Sequence, residues 1–580
     1  MNFIREYRWA LRHDPEPSSD LGERTKKLAD ELDVSPILAD ILVRRGIDSP
    51  DKTRSFFSPS LDDLHDPYLM DGMELAASRV LRGVESGESI VVYGDYDVDG
   101  TSGTALLWNF LRRVGAKVNF FIPDRIKHGY GLSLAGIDEA RRHSPSLLIA
   151  VDCGVTAVSQ VAYAQSLGID VIICDHHEPA VPLPQAYALL DPLKPSCSYP
   201  YKFLCGCGVA FKLVHALVLH TSLGSRLGTD AQTFLAQSLQ YVALATVADI
   251  VPLTFENRSM VKLGMEAINF DPIPGIRALI DTSGLKPQRI ATGQVVFVLA
   301  PRINAVGRLG DAMRAVRLLT SDSYGEALTL AQVLEDENMQ RRKIDEETFM
   351  QAQQTVDAEL AAEDTCIVLH RDTWHPGVIG IVASRLVERY YRPVVLMTTV
   401  DGVAKGSARS VSGFNIYEAL KQCQTSLIQF GGHKYAAGLT VAIDKLAEFK
   451  SAFHAVTDRE LTREMLTPEI RIDAEMHVSE ISPTFIRTLG KFAPFGPENM
   501  RPVFATRNVD VVGSPRIVGK DHLKFKVRSS GHVVDAIGFG LGRLMDRVQP
   551  GRKGLDLAFS LDEGEYGGQL VPQLKIRDLK

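Results

Sequence analysis

The stretch SIVVYGDYDVDG, residues 89–100, sets a short apolar run against three like charges. Ile90, Val91, Val92 and Tyr93 read as a buried strand, and Asp95, Asp97 and Asp99 follow it at once. Carboxylates this close repel one another unless a cation or a set of donors compensates them. The segment is therefore either a solvated turn or a holder of metal. The same arrangement recurs downstream. SLLIAV (146–151) runs into Asp152, DVIIC (170–174) into Asp175-His176-His177, and VALATVA (242–248) into Asp249. Between the first three runs lie TALLWNFLRRVG (104–115) and VTAVSQVAYAQSLG (155–168), helix-like stretches that each close on glycine. Strand, helix, strand, helix, strand is the pattern of a parallel α/β sheet. In open parallel sheets ligands sit beyond the carboxyl ends of the strands, so segments far apart in sequence converge on one rim.

That rim would be rich in oxygen donors with imidazole beside them, a set that suits Mn²⁺ or Mg²⁺ better than a thiolate zinc site. Several carboxylates around a small space suit two ions roughly 3.5–4 Å apart, which points to phosphoester hydrolysis. The DxDxDG string also resembles the start of an EF-hand loop. That loop needs a glutamate at its twelfth position and flanking helices; here the twelfth position is Leu106, and a strand precedes Asp95.

At 580 residues the chain is long enough for several domains. Hydrophobic residues make up 45% and charged residues 23%, an ordinary globular balance. The net charge of −7 gives no general support for a nucleic-acid partner, so any such partner must be met by local basic clusters. Seven cysteines without a paired zinc spacing read as a reducing compartment. The N-terminus is too charged for a signal peptide and no apolar run is long enough to span a bilayer, so the expectation is a cytoplasmic protein with no membrane partner.

Changes of pattern divide the chain into a helical segment (1–75), the first α/β lobe (76–320), a long helix (321–358), a second α/β lobe (359–464) and a C-terminal β-barrel (465–580). The long helix is expected because the charged stretch after Gly325 lacks Gly and Pro and is rich in helix formers. The barrel is expected from short alternating strands such as LKFKVRSSGHVVDAIGF (523–539).

Taken together, VVYGDYDVDGTSG (91–103), LIAVDCGV (148–155), IICDHHEP (172–179) and ATVADIVPL (245–253) resemble the four successive motifs of the DHH phosphoesterase superfamily. PRINAVGRLGDA (301–312), WHPGVIGIVASRL (374–386), KGSARSVSGFNI (405–416) and FGGHKYAAGL (430–439) are similar to motifs of its branch of single-strand-specific 5′→3′ DNA exonucleases. The resemblance runs from FFSPSLDDLHDPYLM (56–70) to the C-terminal barrel. It implies a DHH domain, a DHH-associated domain and an OB-fold, and hydrolysis of single-stranded DNA to 5′-mononucleotides in recombination and repair.

The resemblance also implies roles. Asp97, Asp99, Asp152, His176 and Asp249 would ligate two Mn²⁺ or Mg²⁺ ions, with Asp152 as the bridge. Asp95 would be a ligand or an acceptor beside them, Asp175 would orient a histidine, and His177 would contact the scissile phosphate. Ser407 and Arg409, with Gly431, Gly432 and His433, would clamp substrate phosphate, since Arg offers a fork of donors and glycines let backbone N–H groups approach an anion. Arg125, Arg302, Asn304 and Arg308 are further candidates near the 5′ end, set against the plain alternative of surface ion pairs. Lys524 and Lys526 would track a strand across the barrel, unless they only keep an edge strand soluble. In place of the family's usual turn the chain has Glu498-Asn499-Met500-Arg501. Partners implied by the resemblance are a single-strand-binding protein and a RecQ-type helicase. Two alternatives stay in view. An oligonucleotide or cyclic-dinucleotide phosphodiesterase is disfavoured by the barrel and the length. A non-catalytic helicase accessory factor would have lost ligands that this sequence keeps.

Overall fold

The computed structural model of the chain describes residues 6–12, 19–124, 128, 129, 131–361, 364–566 and 569–580. Its contacts divide it into two units: Leu21–Asn338 with Arg487–Arg501, and Met339–Ile486 with Pro502–Lys580 and the described part of residues 1–20.

The first unit is built on a five-stranded sheet. Its strands are β1 (Ser89–Gly94), β2 (Lys117–Phe121), β3 (Leu147–Val151), β4 (Asp170–Cys174) and β5 (Ala188–Leu190), in the order β2-β1-β3-β4-β5 and all parallel. β3 is buried along its whole length and β1 along all but its first residue. This is why both read as unbroken apolar runs rather than as alternating ones. Helix α1 (Val98–Arg113) leaves β1 through the aspartate segment; helices α2 (Gly206–His220), α3 (Ala231–Ala248), α4 (Phe255–Phe270) and α5 (Ala300–Leu309) complete the layer that positions the site. The order reverses at β1, so β1 and β3 flank the switch point where ligands of such sheets bind.

Between α2 and α4 the unit buries an ion pair. Lys212 donates to Glu256 Oε1 at 2.9 Å, and both side chains are fully enclosed. Glu256 also accepts from the His65 amide at 3.0 Å and from the Tyr199 hydroxyl at 2.7 Å. Removing one charge from such a pair strands the other in a medium that cannot solvate it. Glu256→Gln is therefore expected to cost about 3–5 kcal/mol, checked by urea denaturation, whereas Lys212→Met with Glu256→Leu together should cost clearly less.

Helix α6 (Tyr324–Glu359) is the long charged helix, and the boundary between the units falls within it. In the second unit, β6 (Ile367–His370), helix α7 (Ile379–Tyr390) and β7 (Val394–Val400) form a parallel strand–helix–strand crossover. β8 (Val403–Arg409), β9 (Gln429–His433) and β10 (Ala436–Ala442) extend it antiparallel, in the order β9-β10-β8-β7-β6. The chain then enters a closed five-stranded barrel of β11 (Phe504–Val518), β12 (His522–Ser529), β13 (His532–Gly538), β14 (Leu555–Tyr566) and β15 (Gln569–Leu579).

Two features depart from the division expected from sequence. Arg8–Leu11, inside the expected helical segment, is a strand paired in parallel with Glu469–Ile472; helices begin only at Ser19. Residues 487–501, inside the expected barrel, pack instead with the first unit. The Leu253 amide donates to Pro497 O at 2.8 Å, Thr292 Oγ1 to Phe495 O at 2.7 Å, and Phe492 meets Phe56 edge-on at 5.7 Å. Among the described residues no helix is long and apolar enough to cross a membrane.

Candidate metal centre

Register brings the site together. Gly94 pairs with Val151, and Val151 with Cys174. The next residue on each strand continues the ladder: the Asp95 amide donates to Val151 O, the Asp152 amide to Cys174 O, and the Asp175 amide to Leu190 O. Asp95, Asp152 and Asp175 are thus the first residues past three adjacent strands, and Asp191 holds the same place after β5.

Beyond the rim Asp97, Asp99 and Asp175 each have a distinct anchor, whereas Asp249 comes not from a strand, as its apolar run suggested, but from the C-terminal end of helix α3. Asp97 caps α1, its Oδ1 accepting from the amides of Asp99 (2.9 Å) and Gly100 (3.1 Å). Asp99 is buried and accepts from the amides of Gly206 (2.6 Å) and Cys207 (2.7 Å) at the first turn of α2. Any side chain at Gly206 would force a shift here, because its Cβ would lie 2.6 Å from Asp152 Cβ. Asp152 itself adopts a left-handed backbone, φ 61°. Asp175 accepts from the amide of Val155 in the loop after β3 and, in its own loop, from the amides of His176 and His177, and it holds His177 Nδ1 at 2.7 Å.

His176 Nε2 lies 3.2 Å from Asp152 Oδ1, 3.6 Å from Asp99 Oδ2 and 3.7 Å from Asp249 Oδ2. Among the described residues three overlapping sets of donor atoms could each hold an ion: Asp95, Asp97 and Asp152; Asp99, His176 and Asp249; and Asp152, His176 and His177. The donor set fits a hard divalent cation. Asp95 Oδ1, moreover, is buried and has no hydrogen-bond partner among the described residues, which is costly unless an ion meets it.

The electrostatics carry the same sign. Burial, and then the charge of Asp97, push Asp95 up to about 8. Burial and the neighbouring Asp99 and Asp97 push Asp249 up to about 8. Asp97 and Asp152 are raised by burial and then by Asp99. Burial depresses His176, whereas at His177 the hydrogen bond and charge of Asp175 outweigh burial and lift it to about 9. A carboxylate whose folded pKa is raised stabilises the fold fully below its unfolded pKa and loses that contribution as pH rises through the folded value. His177, also raised, acts in the same direction; His176, lowered, opposes them. In chelator the melting temperature is therefore expected to fall from pH 5.5 to pH 8.5. The increment given by Mn²⁺ should grow over the same range, since ligands must be deprotonated to bind. Thermal melts with and without Mn²⁺ check both trends.

The other expected site residues are placed unevenly. Asn304 on α5 accepts from the Val98 amide at 3.1 Å, and Gly307 on the same helix lies so close that a Cβ would be 2.5 Å from Tyr96 O; α5 thus braces the aspartate loop. Arg302, in contrast, is buried and paired with Glu335 of α6. Arg308 lies near the end of α5, and Arg125 lies outside the described residues. In the second unit Arg409 donates to Ser407 Oγ at 2.9 Å, and Ser407 shares a cross-strand line with Gly438 and Gly431. Gly431, Gly432 and His433 are exposed. On the barrel Lys526 lies 3.5 Å from Asp535 and Lys524 is half-buried. Two features lie beyond the sequence reading. The amides of Gly206 and Cys207 hold Asp99, and Asp191 is buried beside this site, raised to about 7 by burial and then by the charge of Asp175.

A parallel sheet delivering carboxylates and a histidine pair to its switch point defines a DHH-type phosphoesterase. Matches to known families agree: the DHH family N-terminal domain covers residues 89–246, the DHHA1 domain 363–458 and the RecJ OB domain 472–578. The chain is 37% identical over 575 residues to the single-stranded-DNA-specific exonuclease RecJ of Bacillus subtilis, covering 98% of this chain and 70% of that one. The crystal structure of Thermus thermophilus RecJ with Mn²⁺ superposes with a TM-score of 0.82 at 30% identity, covering 99% of this chain and 79% of that one. The same protein with Mg²⁺ gives 0.76 at 28%, covering 99% and 78%. The chain belongs to the RecJ family.

Proposed function

We propose that the chain is a metal-dependent exonuclease of single-stranded DNA that works 5′→3′ and releases 5′-mononucleotides in recombination and repair. The observation that carries this is the convergence on one rim of Asp95, Asp97, Asp99, Asp152 and Asp249 around His176. Asp97, Asp99, Asp152, His176 and Asp249 are assigned as the metal ligands, with Asp152 shared and Asp95 beside them. Two Mn²⁺ or Mg²⁺ ions, when bound, would activate water and neutralise charge on the phosphoryl group. The chain's own residues prepare that step. The amides of Gly206 and Cys207 fix Asp99, and Asp175 holds His177 in one orientation. The hydrogen bond to Asp175 favours the protonated form of His177, which can donate to a phosphate oxygen.

Residues 76–320 would carry the chemistry. Ser407, Arg409, Gly431, Gly432 and His433 would hold substrate phosphate, and the barrel would bind the strand. Seven buried, free cysteines fit a cytoplasmic location. A single-strand-binding protein and a RecQ-type helicase are the partners we infer from the family.

The test is hydrolysis of a long, 3′-labelled single strand with a 5′ phosphate, in Mn²⁺ and in chelator, beside a duplex and a dinucleotide. Loss of the strand only with metal, sparing the duplex, is the expected result. Activity confined to the dinucleotide would instead make the protein a small-substrate phosphodiesterase, and binding without turnover would make it non-catalytic.

A further inference from the structure

The segment that leaves Asp249 is built unlike an ordinary loop. Ile250 and Phe255, at its two ends, both have left-handed backbones, φ 62° and 39°. Branched and aromatic residues rarely adopt that conformation, and glycine or asparagine would take it more easily. Both side chains nonetheless face solvent, Ile250 at 62% and Phe255 at 57% exposure, and Phe203 joins them at 52%.

Several polar groups of the segment are tied inward. Tyr201 Oη donates to Pro252 O at 3.0 Å and lies 3.1 Å from Thr254 Oγ1. Asn257 Nδ2 donates to Pro252 O (3.0 Å) and to Phe203 O (2.6 Å), which joins the two aromatic segments through one side chain. The Tyr201 ring meets Phe203 and Phe255 edge-on at 5.8 and 6.5 Å. Leu253 is buried and anchors the middle. The result is a braced strap with apolar groups outward.

The strap is continuous with the metal centre. Ile250 follows Asp249 directly, and Phe203 stands three residues before Gly206, which abuts Asp152. Beside so many carboxylates a phosphate is not the natural occupant of an apolar surface. Of the parts of a single strand, only the bases offer flat apolar faces, and they stack on aromatic rings without regard to sequence.

We propose that Phe203 and Phe255, flanked by Ile250, form a stacking platform for unpaired nucleobases next to the scissile position. The proposal rests on the single-strand reading above and deepens it: bases already stacked within a duplex cannot use the platform, which would add to selectivity for single strands.

The test compares the full-length protein in Mn²⁺ on two nuclease-resistant phosphorothioate oligomers of equal length, oligothymidylate and its fully abasic counterpart. Wild type is expected to prefer the base-bearing oligomer by at least about tenfold, given typical base–aromatic stacking. Phe203→Ser with Phe255→Ser should cut that preference at least about fivefold with little change in abasic affinity, and Phe255→Trp should keep it. Phe255→Gly supplies a readout that a structural role would not give. Relief of the left-handed strain should leave its melting temperature unchanged or higher while the preference falls. A preference unmoved by all these substitutions, or a Phe255→Gly variant that loses stability and keeps its preference, would overturn the platform alone. A wild type that binds neither oligomer would overturn the exonuclease reading along with it.

Discussion

Asp152→Asn is expected to lower metal-dependent hydrolysis by on the order of 10³-fold or more, and at the same time to raise the melting temperature of the chelated protein. The two effects have one origin. Asp152 belongs to two of the three donor sets and stands 3.2 Å from His176 Nε2, at the meeting point of the cluster. Without metal its carboxyl is raised well above the usual range by burial and by the charges of Asp99 and Asp97. Folding without metal therefore works against ionisation of this carboxyl, a cost that grows as pH rises and that Asn does not carry. Asn also tolerates the left-handed backbone at this position, so the substitution changes charge rather than path. Steady-state hydrolysis and melts at pH 8 in chelator measure the two halves. Activity within tenfold of wild type, or a lower melting temperature in chelator, would contradict the placement of Asp152 at the centre of the cluster.

What the sequence disclosed about this site follows from which groups do the work. Carboxylates after apolar runs are visible because side-chain chemistry is written in the residue types, and the parallel register then carries Asp95, Asp152 and Asp175 to one edge. Asp191 occupies the equivalent place but follows a strand of only three residues, too short to show a period. The anchor of Asp99 is a pair of backbone amides, which any residue but proline possesses, and only the unusual string CGCG hints at it. Arg302 and Asn304 share a motif and so read alike as phosphate contacts. On a helix, residues two apart do not share a face, and here one meets Glu335 while the other reaches the Val98 amide. The large architecture was legible from periodicity, including the long helix and the crossover of the second lobe. The strand Arg8–Leu11 was not, because its partner Glu469–Ile472 lies more than four hundred residues away and nothing in four residues announces it.

Gly206→Ala should disable the centre from the backbone side, with a fall in activity of roughly 10²-fold or more, on the scale of other small displacements of a catalytic group, and loss of most of the Mn²⁺-induced rise in melting temperature. The added methyl would lie 2.6 Å from Asp152 Cβ and 2.8 Å from its Cα. These atoms cannot swing away as the end of a flexible side chain could. Either the first turn of α2 retreats and its amides release Asp99, or Asp152 moves off the rim; each outcome separates groups that must meet around the same ions. Overpacking of this kind typically costs about 1–3 kcal/mol, so the chain should still fold, and the chelated protein should melt only modestly below wild type. Cys207→Ala is the control. Its amide, not its thiol, meets Asp99, so hydrolysis should stay within a few-fold of wild type even if the core loses some packing. Equal loss in the two variants would mean that the thiol or the general packing of α2 matters and that the amide clamp does not. Loss confined to Gly206→Ala would make the closeness of α2 to Asp152 the feature that holds the two carboxylates in one place.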